Sequence, residues 1–150
     1  MMGRTHMAFG FLAASLLSPY VSGDKVAFFA LAVFGALLPD IDHEGSKINN
    51  MFKVTKIVPI FFKHRGFFHS IFPPIIMYGA MSAFHYSFWG LSLAIGYFAH
   101  LFSDSLTKLG VNFLYPLTSF KLKGPLTTDS WQEHALSAAV IILGAVFIFY

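Results

Sequence analysis

Five apolar stretches, at roughly residues 7–22, 26–39, 71–84, 86–103 and 135–150, alternate with polar connections through this chain. Crossing about 30 Å of hydrocarbon takes roughly 20 helical residues. Several stretches are shorter than that, the second and third most clearly. A short span is accommodated by bilayer thinning, by flanking residues that reach the interface, or by packing in a bundle, and a partly inserted helix is the alternative for these two. Charged residues make up only 11% of the chain and hydrophobic ones 56%, so a soluble domain of this size would lack the charges to cover its surface. The 19 phenylalanines exceed what a small soluble core holds. The expected fold is therefore all-α: an integral membrane bundle of about four or five membrane-embedded helices, forming one domain over residues 1–150. Pro73 and Pro74 fall at the start of the third stretch, where a first helical turn tolerates them. Arg4 and the apolar run from Phe9 to Leu17 resemble a signal peptide, but no A-x-A site follows, so the segment is expected to be retained.

Basic residues orient the bundle. With five spans, the amino terminus and the 40–66 and 104–134 loops share one side. That side carries Arg4, Lys47, Lys53, Lys56, Lys63, Arg65, Lys108, Lys121 and Lys123, while the other carries only Lys25. The positive-inside rule puts the rich side in the cytoplasm. The formal charge of +3 follows from these loops and gives no reason to expect nucleic-acid binding. The 40–66 loop is mixed polar and apolar, compatible with a short interfacial helix. The 104–134 loop, with Gly110, Pro116, Gly124 and Pro125, is expected to be mostly turns.

Acidic residues number only seven, yet Asp40, Asp42 and Glu44 cluster at the end of the second stretch and Asp104 ends the fourth. An ionisable group at a membrane edge is costly and usually has a partner or a function. Glu44 reads as a polar end cap, and Asp40 and Asp42 as functional. His100 and Asp104, four apart, share one helix face. An imidazole nitrogen and a carboxylate oxygen so placed reach one cation, as in other helical i,i+4 metal pairs; a buried His–Asp hydrogen bond is the alternative. His64 and His69 flank Arg65-Gly66 ahead of the third stretch, as ligands or as part of a surface turn. His43 is a ligand or a partner to one. His85 reads as surface in a short turn on the opposite side, Glu133 and His134 as the start of a helix, and His6, taken alone, as a terminal polar residue.

Taken together these groups mean more. The five-span topology brings His6, Asp40, Asp42, His64, His69, His100 and Asp104 to four helix ends at one membrane face. The chain has no cysteine, so a metal here is held by nitrogen and oxygen alone. Histidines with aspartate oxygens suit a divalent metal, zinc above all, with manganese or iron(II) as alternatives. The donors outnumber one tetrahedral shell, so one or two ions are expected.

The motifs Leu-Leu-Pro-Asp40-Ile-Asp42-His43, His64-Arg65-Gly66-Phe-Phe-His69-Ser70 and Gly96-Tyr-Phe-Ala-His100-Leu-Phe-Ser-Asp104-Ser-Leu-Thr107, in that order, resemble the YdjM-like inner-membrane metal-dependent hydrolases of bacteria. Gly110-Val-Asn-Phe-Leu-Tyr-Pro116 extends the likeness, which covers roughly residues 6–117. That family is similar in turn to zinc-dependent phospholipase C, where an early His, an Asp, a His and a His-x-x-x-Asp pair hold zinc. The likeness implies His6, Asp40 or Asp42, His69 or His64, and His100 with Asp104 as ligands, Asp104 bridging two ions. Phospholipase C also has a His-x-x-x-Glu motif; here Glu133 and His134 are adjacent, so no third ion is expected.

The resulting expectation is a metal-dependent hydrolase at the cytoplasmic face of the bacterial inner membrane. Its substrate would be membrane lipid or a lipid-linked phosphate, cleaved at a phosphoester. Asp42, His64 and Arg65 are the candidate catalytic residues, with Asp42 as general base and Arg65 gripping phosphate in a bidentate fork. The alternatives are a metal-ion transporter and a non-enzymatic scaffold held together by its cations. A transporter needs a path, and the first and fifth stretches carry no ionisable group at their midplane.

Overall fold

A computed structural model describes residues 1–42 and 66–149, with only the backbone of Asp42. It contains five α-helices: α1 (Gly3–Leu17), α2 (Lys25–Gly35), α3 (Phe72–Ala83), α4 (Ser87–Ser105) and α5 (Trp131–Phe149). Short 3₁₀ turns cover Ser18–Tyr20, Leu38–Asp42 and Phe67–His69. No strand occurs among the described residues, and the fold is all-helical, one helix to each apolar stretch.

Local chemistry sets the helix ends. Asp24 caps α2, its carboxylate accepting the Ala27 N–H at 2.8 Å. Pro73 and Pro74 occupy the first turn of α3, where their missing N–H and fixed φ do no harm. His85 lies exposed in the α3–α4 turn, on the surface as expected.

The helices differ in reach. The 11 residues of α2 rise about 16 Å and the 12 of α3 about 18 Å, short of a hydrocarbon core. By length and composition, α5 is the one described helix able to cross a membrane. Large apolar side chains nevertheless stand exposed over much of the surface, including Ile75 and Ile76 on α3, Phe98 and Phe102 on α4, and Ile142 and Phe147 on α5.

Helix α4 is central, packed against α1, α2 and α3, and α1 also contacts α2 and α5. The α2–α4 contact is backbone on backbone. A Cβ added at Gly96 would lie 1.8 Å from the Ala32 carbonyl oxygen, and one at Gly35 would lie 2.3 Å from that of Leu93. Small residues permit such an approach where apolar burial alone cannot drive helices together. Beyond α4, residues 106–128 form the expected turn-rich segment, folded back on itself by isolated bridges Thr107–Leu126 and Val111–Leu122.

Gly96→Val should separate α2 from α4 and lower stability in detergent by about 1–3 kcal/mol or more, the usual cost of overpacking. Gly79, whose Cβ would meet nothing within 4 Å, should accept alanine without loss. Thermal unfolding of the two variants side by side checks the contrast.

Candidate metal centre

The end of α4 carries the framework. His100 and Asp104 lie on its last turns, both buried. The α2–α4 contact brings the Ala36 carbonyl, at the end of α2, to within 2.8 Å of His100 Nδ1. A carbonyl can only accept, so Nδ1 carries the proton and Nε2 turns its lone pair inward. His6, on the first turns of α1, is fixed in the same sense. Its Nδ1 lies 2.8 Å from Ser103 Oγ. The Ser103 hydroxyl spends its own proton on the His100 carbonyl, at 2.8 Å, so it must accept from His6. His6 Nε2 is therefore the lone-pair nitrogen, buried and without a hydrogen-bond partner. The His6 and His100 rings stack, with centroids 3.7 Å apart.

Asp40 enters from the 3₁₀ turn after α2 and His69 from the turn before α3. Tyr97 on α4 secures the latter turn by donating to the Phe68 carbonyl at 2.6 Å. His69 Nε2 and His100 Nε2 lie 3.4 Å apart. Asp40 Oδ1 is 3.7 Å from His69 Nε2 and 3.8 Å from His100 Nε2. Asp104 Oδ2 is 3.8 Å from the first and 3.9 Å from the second. The other oxygen of each carboxylate faces His6 Nε2, Asp104 Oδ1 at 3.6 Å and Asp40 Oδ2 at 3.9 Å. The Met1 nitrogen also donates to Asp104 Oδ1.

These five residues make two overlapping donor groups that could hold a metal ion, His6–His100–Asp104 and Asp40–His69–His100. Around zinc at 2.0–2.1 Å, tetrahedral donors stand about 3.4 Å apart. The separations here are that or slightly wider. A lone-pair nitrogen buried without a hydrogen bond, in a set of nitrogen and oxygen donors, fits a cation. Burial alone would raise the Asp40 carboxyl, but the His100, His69 and His6 rings beside it outweigh that and hold it well below the usual carboxylate range.

Five of the seven expected ligands therefore converge: His6, Asp40, His69, His100 and Asp104. Asp42 is placed next to them in backbone only, and His43, Glu44, His64 and Arg65 lie outside the described residues. Sequence reasoning missed the supports. Ser103 and the Ala36 carbonyl orient ligands, and neither announces itself in a motif. Glu133 is buried at 1% exposure, where it accepts the Met2 N–H at 2.6 Å and the Asp129 N–H at 2.7 Å. It thereby ties the start of α5 to Met2, the residue before the helix bearing His6 begins. The Ser-x-x-Glu pattern at Ser130–Glu133 is the signal that would have found it.

Ser103→Ala should leave the helices intact while releasing the His6 ring. Loss of a partner of this kind typically costs about 10–100-fold in metal affinity. Zinc titration against a competing chelator measures it, with Ser92→Ala, whose hydroxyl bonds only its own helix at Phe88, as the control.

A family model described as "YdjM inner membrane protein" matches residues 1–150. The chain is 33% identical over 154 residues to "Uncharacterized protein YvsG" of Bacillus subtilis (strain 168), covering 100% of this chain and 95% of that one. It is 30% identical over 113 residues to "Inner membrane protein YdjM" of Escherichia coli (strain K12), and equally to that of Shigella flexneri. Those alignments take in 69% of this chain and 56% of each relative, so the chain matches little more than half the length of the YdjM proteins. No solved structure matches it. The chain belongs to the YdjM inner membrane protein family.

Proposed function

We propose that this protein is a metal-dependent hydrolase of phosphoester bonds, acting on phospholipid or a lipid-linked phosphate at the cytoplasmic face of the inner membrane. The reading takes the whole chain as one multi-pass domain, its shorter helices held in the bilayer by the bundle around α4. The basic residues concentrated in the amino terminus and the two long loops support that orientation.

One observation carries the reading. Asp40 and Asp104 each turn one oxygen toward His69 and His100 and the other toward His6. The two carboxylates thus link His6 to the His69–His100 side of an overlapping donor set, an arrangement that suits a pair of divalent cations. His69 and His100 would hold one cation and His6 the other, with Asp40 and Asp104 shared. Zinc is the ion best suited to these nitrogen and oxygen donors. A divalent cation there supplies Lewis acidity toward a phosphoryl oxygen and acidifies water toward neutrality.

The chain's own groups do the rest. Ser103 and Ala36 keep the His6 and His100 protons on Nδ1, away from the centre. Asp40, 18% exposed against 0–1% for the other four, is where the centre meets its surroundings, so substrate approaches from that side. Asp42 and the His64-Arg65 pair follow Asp40 in sequence. They are assigned as general base and phosphate grip on their chemistry alone.

Purified protein should contain zinc and cleave members of a phosphodiester and phosphomonoester panel in detergent, with activity lost on chelation and restored by metal. Asp104→Ala should lose the metal and at least about 100-fold in turnover, as removal of a metal ligand or its supporting shell does. His85→Ala should keep both. Metal without turnover of any ester would favour a cation-stabilised scaffold. Zinc or manganese flux into liposomes would favour a carrier.

A further inference from the structure

Residues 106–128 leave α4 directly after Asp104 and return toward α5 without an acidic residue among them, while carrying Lys108, Lys121 and Lys123. The fold brings these lysines onto adjoining arms of one ribbon. The Lys108 N–H donates to Leu126 O at 2.8 Å, and Val111 and Leu122 exchange backbone hydrogen bonds of 2.9 Å. All three lysines are exposed. Between them stand apolar side chains left exposed among the described residues: Leu117 and Phe120 are each 74% exposed and Leu109 is 59% exposed. Large apolar groups at that exposure, interleaved with lysine and free of acid, match the composition of segments that lie in a membrane interface.

The ribbon is also fixed to the metal centre at both ends of its first half. Thr107 Oγ1 donates to the Asp104 carbonyl at 2.7 Å, and Phe113 O accepts the N–H of Ile71, two residues past His69, at 3.0 Å. Buried Val111 packs with Leu101 and Tyr97 of α4. The first half of the ribbon therefore starts and ends against the elements that carry His69, His100 and Asp104.

We propose that the 106–128 ribbon docks on anionic lipid, with Phe120 and Leu117 entering the interface and Lys108, Lys121 and Lys123 holding headgroup phosphates next to the centre. What the headgroup is brought to rests on the hydrolase reading; the docking itself does not. Charge selects lipid over a second copy of the chain. Two such ribbons facing each other would set three lysines against three, with no acid on either to offset them, whereas an anionic leaflet attracts each lysine.

The absence of cysteine makes the test clean. Phe120→Cys, labelled with a nitrobenzoxadiazole fluorophore, is reconstituted in vesicles of phosphatidylcholine alone or of phosphatidylcholine with phosphatidylglycerol, each with or without a headgroup-level spin-labelled lipid. The expected result is blue-shifted emission, largely quenched by the spin label, in the phosphatidylglycerol vesicles. Adding Lys108→Glu, Lys121→Glu and Lys123→Glu should abolish both effects while circular dichroism and elution from a sizing column stay unchanged. A water-like, unquenched signal in both lipids overturns the proposal. So does quenching that ignores phosphatidylglycerol or charge reversal. A blue-shifted but unquenched signal that grows with the protein-to-lipid ratio also overturns it, in favour of a second copy. Docking without ester turnover would sink the hydrolase reading and leave the docking standing.

Discussion

The hydrogen bond from His100 Nδ1 to the Ala36 carbonyl is where fold and site meet. It exists because Gly96 and Gly35 let α2 and α4 touch along their backbones, and it decides which nitrogen of His100 faces inward. The same crossing delivers Asp40, four residues beyond Ala36. With either glycine replaced, the acceptor would retreat and the carboxylate with it. A buried polar group without a partner costs about 1–3 kcal/mol, so this contact fixes the ring and also avoids that penalty.

Burying three imidazoles and two carboxylates together makes sense only in company. Like charges in a low-dielectric interior repel, and an isolated buried acid tends to take up a proton instead. For Asp40, the neighbouring histidines act against that tendency and lower the carboxyl pKa. The cluster thus gathers two carboxylates with the inward-facing nitrogen lone pairs of His6 and His100, a donor set that suits a divalent cation. Proteins keep such clusters where they bind or react something.

Much of this was readable from the residues. Five apolar stretches gave five helices, and the spacing of His100 and Asp104 put both on one face of α4. The grouping of Asp40, His69 and His6 with them followed from counting spans, since alternate helix ends share a level. What could not be read is instructive. The Ala36 acceptor is a backbone atom, chosen by a crossing angle that no side chain spells out. Ser103 is a common residue whose role depends on a helix that begins a hundred positions earlier. Glu133 looked like an ordinary helix start, and it is in the first turn of α5, but its carboxylate reaches backbone N–H groups of Met2 and Asp129. Helix length alone does not decide: α4 and α5 have equal length, yet by length and composition only α5 meets the requirement for crossing a membrane among the described helices, and α2 and α3 fall short of it.

Three of the central residues, His100, Ser103 and Asp104, ride on the last six positions of one helix. Their mutual geometry is set by the internal hydrogen bonds of α4 and needs no tertiary contact. During synthesis, His6, Asp40 and His69 leave the ribosome before any of them. The centre can close only once α4 has been made and has slotted between its earlier neighbours. A nascent chain stopped short of residue 100 would hold His6, Asp40 and His69 without the two donors that α4 supplies.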